Sequence, residues 1–255
     1  MLVRTRDALA FWAFTTPLTI VLAWYPYAPW IGLLASVAMM KNGKSKKFEK
    51  QWLNWFEIAK AVGALAGVTA ITAFQMQSFP YSTGWHNIFS TLLVVNILEA
   101  IIRDVQSGTG HLPNALAGFF LLLLIPDSHL FAEFRDTSSS VGLLFFPLKK
   151  KWIILYTSWN AAFSFGFNFS WSTRLMLITA ILASVICGNQ AYWLHMRCIS
   201  LTLNMLLRAT RATYLYQPGC SFVTNRERAQ HSVPVRAVWG GCNLALCIQY
   251  FLENS

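Results

Sequence analysis

Charge is scarce in this chain. Only 12% of its 255 residues are Asp, Glu, Lys or Arg, about half the ~25% of an ordinary soluble domain. Segments such as LAGFFLLLLI carry none, which argues against a large soluble helical protein. Catalytic signatures are missing too: there is no H-E-x-x-H, G-x-S-x-G, P-loop or D-x-x-D. The five cysteines (Cys187, Cys198, Cys220, Cys242, Cys247) form no C-x-x-C and no metal-ligand spacing. Five histidines are scattered, and only His86 and His195 fall in apolar runs, too little to support haem. Retinal would need a buried lysine with a carboxylate counter-ion, but Lys60 is the only lysine inside a predicted span. No cofactor or metal is expected.

Apolar residues are what the chain has in plenty. They make up 55% of it, with eleven Trp, a residue that favours the membrane–water interface. Several apolar runs approach the ~20 residues a helix needs to cross hydrocarbon. The fold class this predicts is an all-α, polytopic integral membrane bundle of about six to eight transmembrane helices. It reads as one transmembrane helical domain over 1–255, with a lysine-rich cytoplasmic loop at 41–51 and polar loops at 127–140 and 212–234.

The predicted spans are Ala8–Tyr25, Leu53–Phe79, His86–Asp104, Asn114–Ile125, Trp152–Phe169, Arg174–Cys187, Ala191–Arg211 and Val235–Leu252. A shorter helix, Pro29–Met40, begins after the proline break YPYAP. The first run follows Arg4 and Arg6 but contains Pro17 and has no A-x-A site, so it reads as a helix rather than a cleaved signal. KNGKSKKFEKQ is the strongest cytoplasmic marker, and places the N-terminus on the same side. The segment VGLLFFPL (141–148) is too short to cross, and the pattern leaves open whether it dips back. If the span before it exits outward, Lys149–Lys151 land outside, against the positive-inside tendency. The net charge of +10 clusters at the ends of apolar runs, a topology signal rather than a nucleic-acid footprint.

NILEAIIRD carries the sharpest charge pattern. Asn96, Glu99 and Arg103 fall within about 60° of one helix face, and Glu99–Arg103 is an i,i+4 pair with the acid N-terminal. A charge at the bilayer centre costs about 2.5–3.5 kcal/mol on insertion scales. Arg103 and Asp104 can reach the headgroups, but Glu99 lies about a turn deeper and should face the interior. Glu57 and Lys60, at i and i+3, are read as a pair near the same inner side. In WIILYTSWNAAFSFGFNFS, the residues Thr157, Asn160, Ser164 and Asn168 stand at about 0°, 300°, 340° and 20°. This is one polar stripe, serving either interhelical hydrogen bonds or a polar path. Arg197, Asn204, Arg208 and Arg211 share a face, a basic collar for lipid headgroups or another anion. Gly63 and Gly67 form a G-x-x-x-G for close helix approach.

The resulting expectation is a channel or transporter for a small ion or polar solute, not an enzyme. Glu99 would be the gating or coupling residue and Arg103 its partner; Asn96, Glu57 and Lys60 complete the ionisable group. The alternative is a membrane-embedded enzyme or effector that binds lipid headgroups or a cytoplasmic partner through its basic face. Expected partners are membrane lipids and other subunits, in a homo-oligomer or a larger membrane complex, without nucleic acid. No motif matches rhodopsins, trimeric cation channels, nicotinamide riboside carriers or tryptophan-rich sensory proteins.

Overall fold

The computed structural model describes residues 5–25, 27, 30, 34, 55–76, 83–125, 146, 148–166, 171–214 and 233–253. Within them the chain is all-helical, without a strand. The helices are α1 (Thr5–Trp24), α2 (Trp55–Met76), α3 (Thr83–Gln106), α4 (Leu112–Leu123), α5 (Lys150–Gly166), α6 (Trp171–Ile186), α7 (Trp193–Tyr214) and α8 (Val233–Leu252). Their bounds fall close to the apolar runs. The predicted helix Pro29–Met40 lies outside the described residues. Among the described residues, no helix is long and apolar enough to cross a membrane.

Breaks between helices have local causes. Gly108 holds φ 103, a conformation that side chains resist, so α3 stops and a turn at Thr109–His111 leads into α4. Pro113 sits in the first turn of α4, where its missing N–H costs nothing. In the GNQ break Gly188 adopts φ 79 after α6. Asn189 then caps the next turn by accepting from the Ala191 N–H at 2.9 Å.

Indole hydrogen bonds fix how the helices run. Trp152 and Trp159 of α5 donate to the carbonyls of Leu121 (3.1 Å) and Asn114 (2.7 Å), so α5 runs antiparallel to α4. Trp12 donates to the Leu175 carbonyl at 3.0 Å, and the Thr15 and Thr179 hydroxyls meet at 3.1 Å, so α1 and α6 run parallel. Gln75 near the end of α2 donates to the Ala23 carbonyl near the end of α1 at 2.7 Å. Near the start of α8, Gly240 seats on Pro113 and Asn114. Farther along, Phe251 meets Phe120 edge-on, ring centroids 5.7 Å apart. Thus α8 lies parallel to α4. Trp193 at the start of α7 packs on Trp152 and Tyr156 of α5.

One end of the bundle therefore gathers the starts of α3, α5 and α7 with the ends of α1, α2, α4, α6 and α8. The other end is the reverse. Because α4 ends where α5 begins, the two ends of the connection between them lie at the same end of the bundle. Phe146 and Leu148 are buried there, the Phe146 N–H bonding the Ala191 carbonyl at 2.8 Å. Lys149–Lys151 consequently lie at the end opposite the one where α2 begins, just after the lysine-rich segment 41–51.

Gly118 allows the tightest contact. A Cβ there would sit 2.8 Å from both Ile101 Cγ1 and Trp159 Cζ2. Of the predicted G-x-x-x-G, Gly67 faces Cys198 of α7 at 3.4 Å from a built Cβ, while Gly63 has nothing within 4 Å.

Candidate functional site

The inward side of α3 carries polar groups at intervals among the buried apolar residues Phe89, Leu93, Ile97 and Ala100. At its first turn His86 is buried, stacked on Phe146 at 5.0 Å, with its Nε2 3.0 Å from the Ser90 hydroxyl. Midway, Asn96 Nδ2 donates to the Tyr156 hydroxyl at 2.8 Å. Glu99, one turn on, is only 9% exposed. Arg103 follows, half-buried. Asp104 is 0% exposed. From His86 to Asp104 the rise is roughly 27 Å at 1.5 Å per residue.

Asp104 anchors a cluster that the sequence reading treated as an interfacial charge. Its Oδ1 lies 3.0 Å from His111 Nδ1, and its Oδ2 accepts from Asn114 Nδ2 at 2.7 Å. The two helices that meet at this turn thus share a buried carboxylate. The spacing of Asp104, His111 and Asn114 holds the one available signal: polar residues on either side of a glycine-bearing break are brought face to face when the chain reverses. A second network lies beside it. Trp239 Nε1 donates to the Ser158 hydroxyl at 3.1 Å, which donates to Asn243 Oδ1 at 2.7 Å.

The α5 stripe divides. Thr157 donates to the Ile153 carbonyl at 2.8 Å, and Asn160 Nδ2 to the Tyr156 carbonyl at 3.4 Å, so both hydrogen bonds stay within their own helix. Ser164 is buried, and Asn168 lies outside the described residues. Ser158, which the stripe omits, makes the interhelical bond. Such back-bonding is the usual resort of a hydroxyl or amide in an apolar helix.

On α7, Arg197 is 8% exposed and Asn204 is buried, so the face read as a basic collar begins inside the bundle. The side chains of Arg208 and Arg211, like those of Glu57 and Lys60 on α2, lie outside the described residues. Trp193 joins this face to the α3 column, since its ring meets Tyr156 at 5.1 Å, T-shaped. His195 is fully buried on another face, with a backbone hydrogen bond to Ala23.

Outward faces are largely apolar, although Asn87 and Thr91 on α3 are exposed as well. On α3, Ile88, Val95, Leu98, Ile102 and Val105 are exposed, and on α4 Leu112, Leu116, Phe119 and Leu123 are. Both rows follow the i, i+3/i+4 helix repeat.

Among the described residues no group of three or more His, Cys, Asp or Glu is placed to hold a metal. No family model, no curated protein and no solved structure matches the chain.

Proposed function

We propose that this chain is a membrane-embedded helical bundle that passes a small ion or polar solute along a polar interior. The observation that carries the reading is the two-sidedness of α3. Its exposed residues are chiefly Ile88, Val95, Leu98, Ile102 and Val105, with Asn87 and Thr91 near its start, while His86, Glu99 and Asp104 are buried. In water this arrangement is unfavourable on both faces, because apolar area is wetted and ionisable groups are desolvated. In hydrocarbon the outer face is at home, and the inner groups must find partners inside the protein. Turned inward, they leave an apolar girdle assembled from several neighbours.

The distribution of charge supports the same orientation. In sequence, the lysine-rich stretch 41–51 leads into α2, and Arg226, Glu227 and Arg228 fall between α7 and α8. At the end opposite the start of α2, Lys151 donates to Glu253, and the sequence between α4 and α5 carries Asp127, Glu133, Arg135 and Asp136. An excess of cations at one end is the positive-inside arrangement, with 41–51 in the cytoplasm.

Glu99 is the coupling group in this reading, with Arg103 one turn away and Asn96–Tyr156 beside it. The Asp104–His111 pair lies beyond it toward the cationic end. Proteoliposomes holding the full chain test this directly, by ion and proton flux under an imposed gradient. Wild type should conduct, and Glu99→Gln should lose flux while still inserting and folding. Wild-type flux in Glu99→Gln would remove Glu99 from the path, and no flux under any gradient from folded wild type would overturn the transport reading.

A further inference from the structure

The start of α7 presents buried polar atoms that the column on α3 does not use. Among the described residues, Arg197 Nε, Trp193 Nε1 and Gln190 Oε1 are buried without a hydrogen-bond partner. They are not scattered. Gln190 opens the three-residue turn Gln190–Tyr192, in which i and i+3 eclipse, so it stands over Trp193. Trp193 and Arg197 are i and i+4, neighbours on one helix face. That face is internal: Trp193 is 1% exposed and packs on Trp152 and Tyr156. A helical side chain leans toward the N-terminus of its helix, so Arg197 extends back over the turn that carries Trp193.

A guanidinium stays charged at any accessible pH. Its Nε is buried without a partner, and among the described residues no carboxylate pairs with it, so an anion reaching this position would meet an unanswered charge. The indole N–H beside it is a donor with no acceptor, and the Gln190 amide oxygen is an acceptor with no donor. Two donors, one of them a planar fork, match an oxyanion better than a spherical ion. The acceptor at Gln190 favours an oxyanion that keeps one proton.

We propose that Gln190, Trp193 and Arg197 form an internal binding site for a small oxyanion of the hydrogencarbonate or dihydrogen phosphate kind. Arg197 Nε and Trp193 Nε1 donate to its charged oxygens, and its remaining O–H donates to Gln190 Oε1. The inference concerns binding and stands whether or not the bundle conducts.

Thermal unfolding of the detergent-solubilised full chain tests it, in hydrogencarbonate, phosphate or chloride at fixed pH and ionic strength. A ligand that binds only the folded state stabilises it saturably. Wild type should show saturable stabilisation by hydrogencarbonate or phosphate and none by chloride. Trp193→Phe keeps the ring and loses the donor, and should weaken the apparent affinity about tenfold or more, as expected for a hydrogen bond to charge. Arg197→Gln should abolish the response, yet without anion be as stable as wild type or more so, because the unpaired charge is gone. A merely structural arginine would instead leave that variant less stable. Three results would each overturn the proposal: no saturable response in wild type, an equal response to all three anions, or wild-type affinity in Trp193→Phe.

Discussion

Gly118 shows how much a single missing Cβ can decide. In Gly118→Ala the new methyl meets Ile101 and the Trp159 indole, each at 2.8 Å. Trp159 cannot step aside without losing its bond to the Asn114 carbonyl. Overpacking of this kind costs about 1–3 kcal/mol. Gly63→Ala, with nothing within 4 Å, should leave stability unchanged or raise it by up to ~1 kcal/mol through helix propensity. Thermal unfolding of the two variants in detergent checks the contrast, and the reverse order would contradict the packing described. Sequence reasoning singled out Gly63 because a G-x-x-x-G is legible by eye. Gly118 was invisible, since its importance comes from an indole some forty positions away. Asp104 gives a second test. Asp104→Asn removes the charge that accepts from His111 and Asn114, and should cost about 1–3 kcal/mol by the same measurement. An unchanged midpoint would mean that the cluster is not what holds this turn.

Helix positions were written plainly in the apolar periodicity, and each described helix falls within a few residues of a predicted run. Gly108, Pro113 and Gly188 mark the breaks between helices by ordinary turn chemistry. Which element meets which was not legible, because antiparallel and parallel neighbours bury the same residues. Indole donors settle it here, and their acceptors are backbone carbonyls that no side-chain pattern reveals. The pairing of α5 and α8 rests on side chains instead. Lys151 at the start of α5 donates to Glu253 just past the end of α8, and Gln249 adds a second bond to that carboxylate at 2.9 Å. Lys151 also lies 5.0 Å from the Tyr250 ring centroid. The Lys151 and Gln249 hydrogen bonds hold the Glu253 carboxyl below the usual carboxylate range. A depressed acid contributes stability above its unfolded pKa and loses it as pH falls through the folded one. Lys151→Met should therefore lower the unfolding temperature slightly at neutral pH and low salt, and not at all once the carboxylate is protonated. Because both groups are surface-exposed, high salt should erase the difference as well. A deficit that persists in acid would assign Lys151 to packing alone.

Across the whole molecule, the order of helices places Lys149–Lys151 at the end where α4 finishes, opposite the start of α2, with Glu253 bonded to Lys151. Which polar residues act together was only partly legible. Asn96 and Glu99 could be placed on an inner face from helix geometry, whereas Tyr156, Trp193 and Arg197 join them only through the packing of three helices. The central claim is that the exposed apolar rows meet lipid while the column on α3 does not. A nitroxide on a single cysteine at Val95, 53% exposed, in chains reconstituted into liposomes, tests it most directly. The label's collision rate with oxygen, which dissolves in lipid, should far exceed that with a water-soluble nickel chelate. The opposite ratio at Val95 would put that face in water and contradict the account.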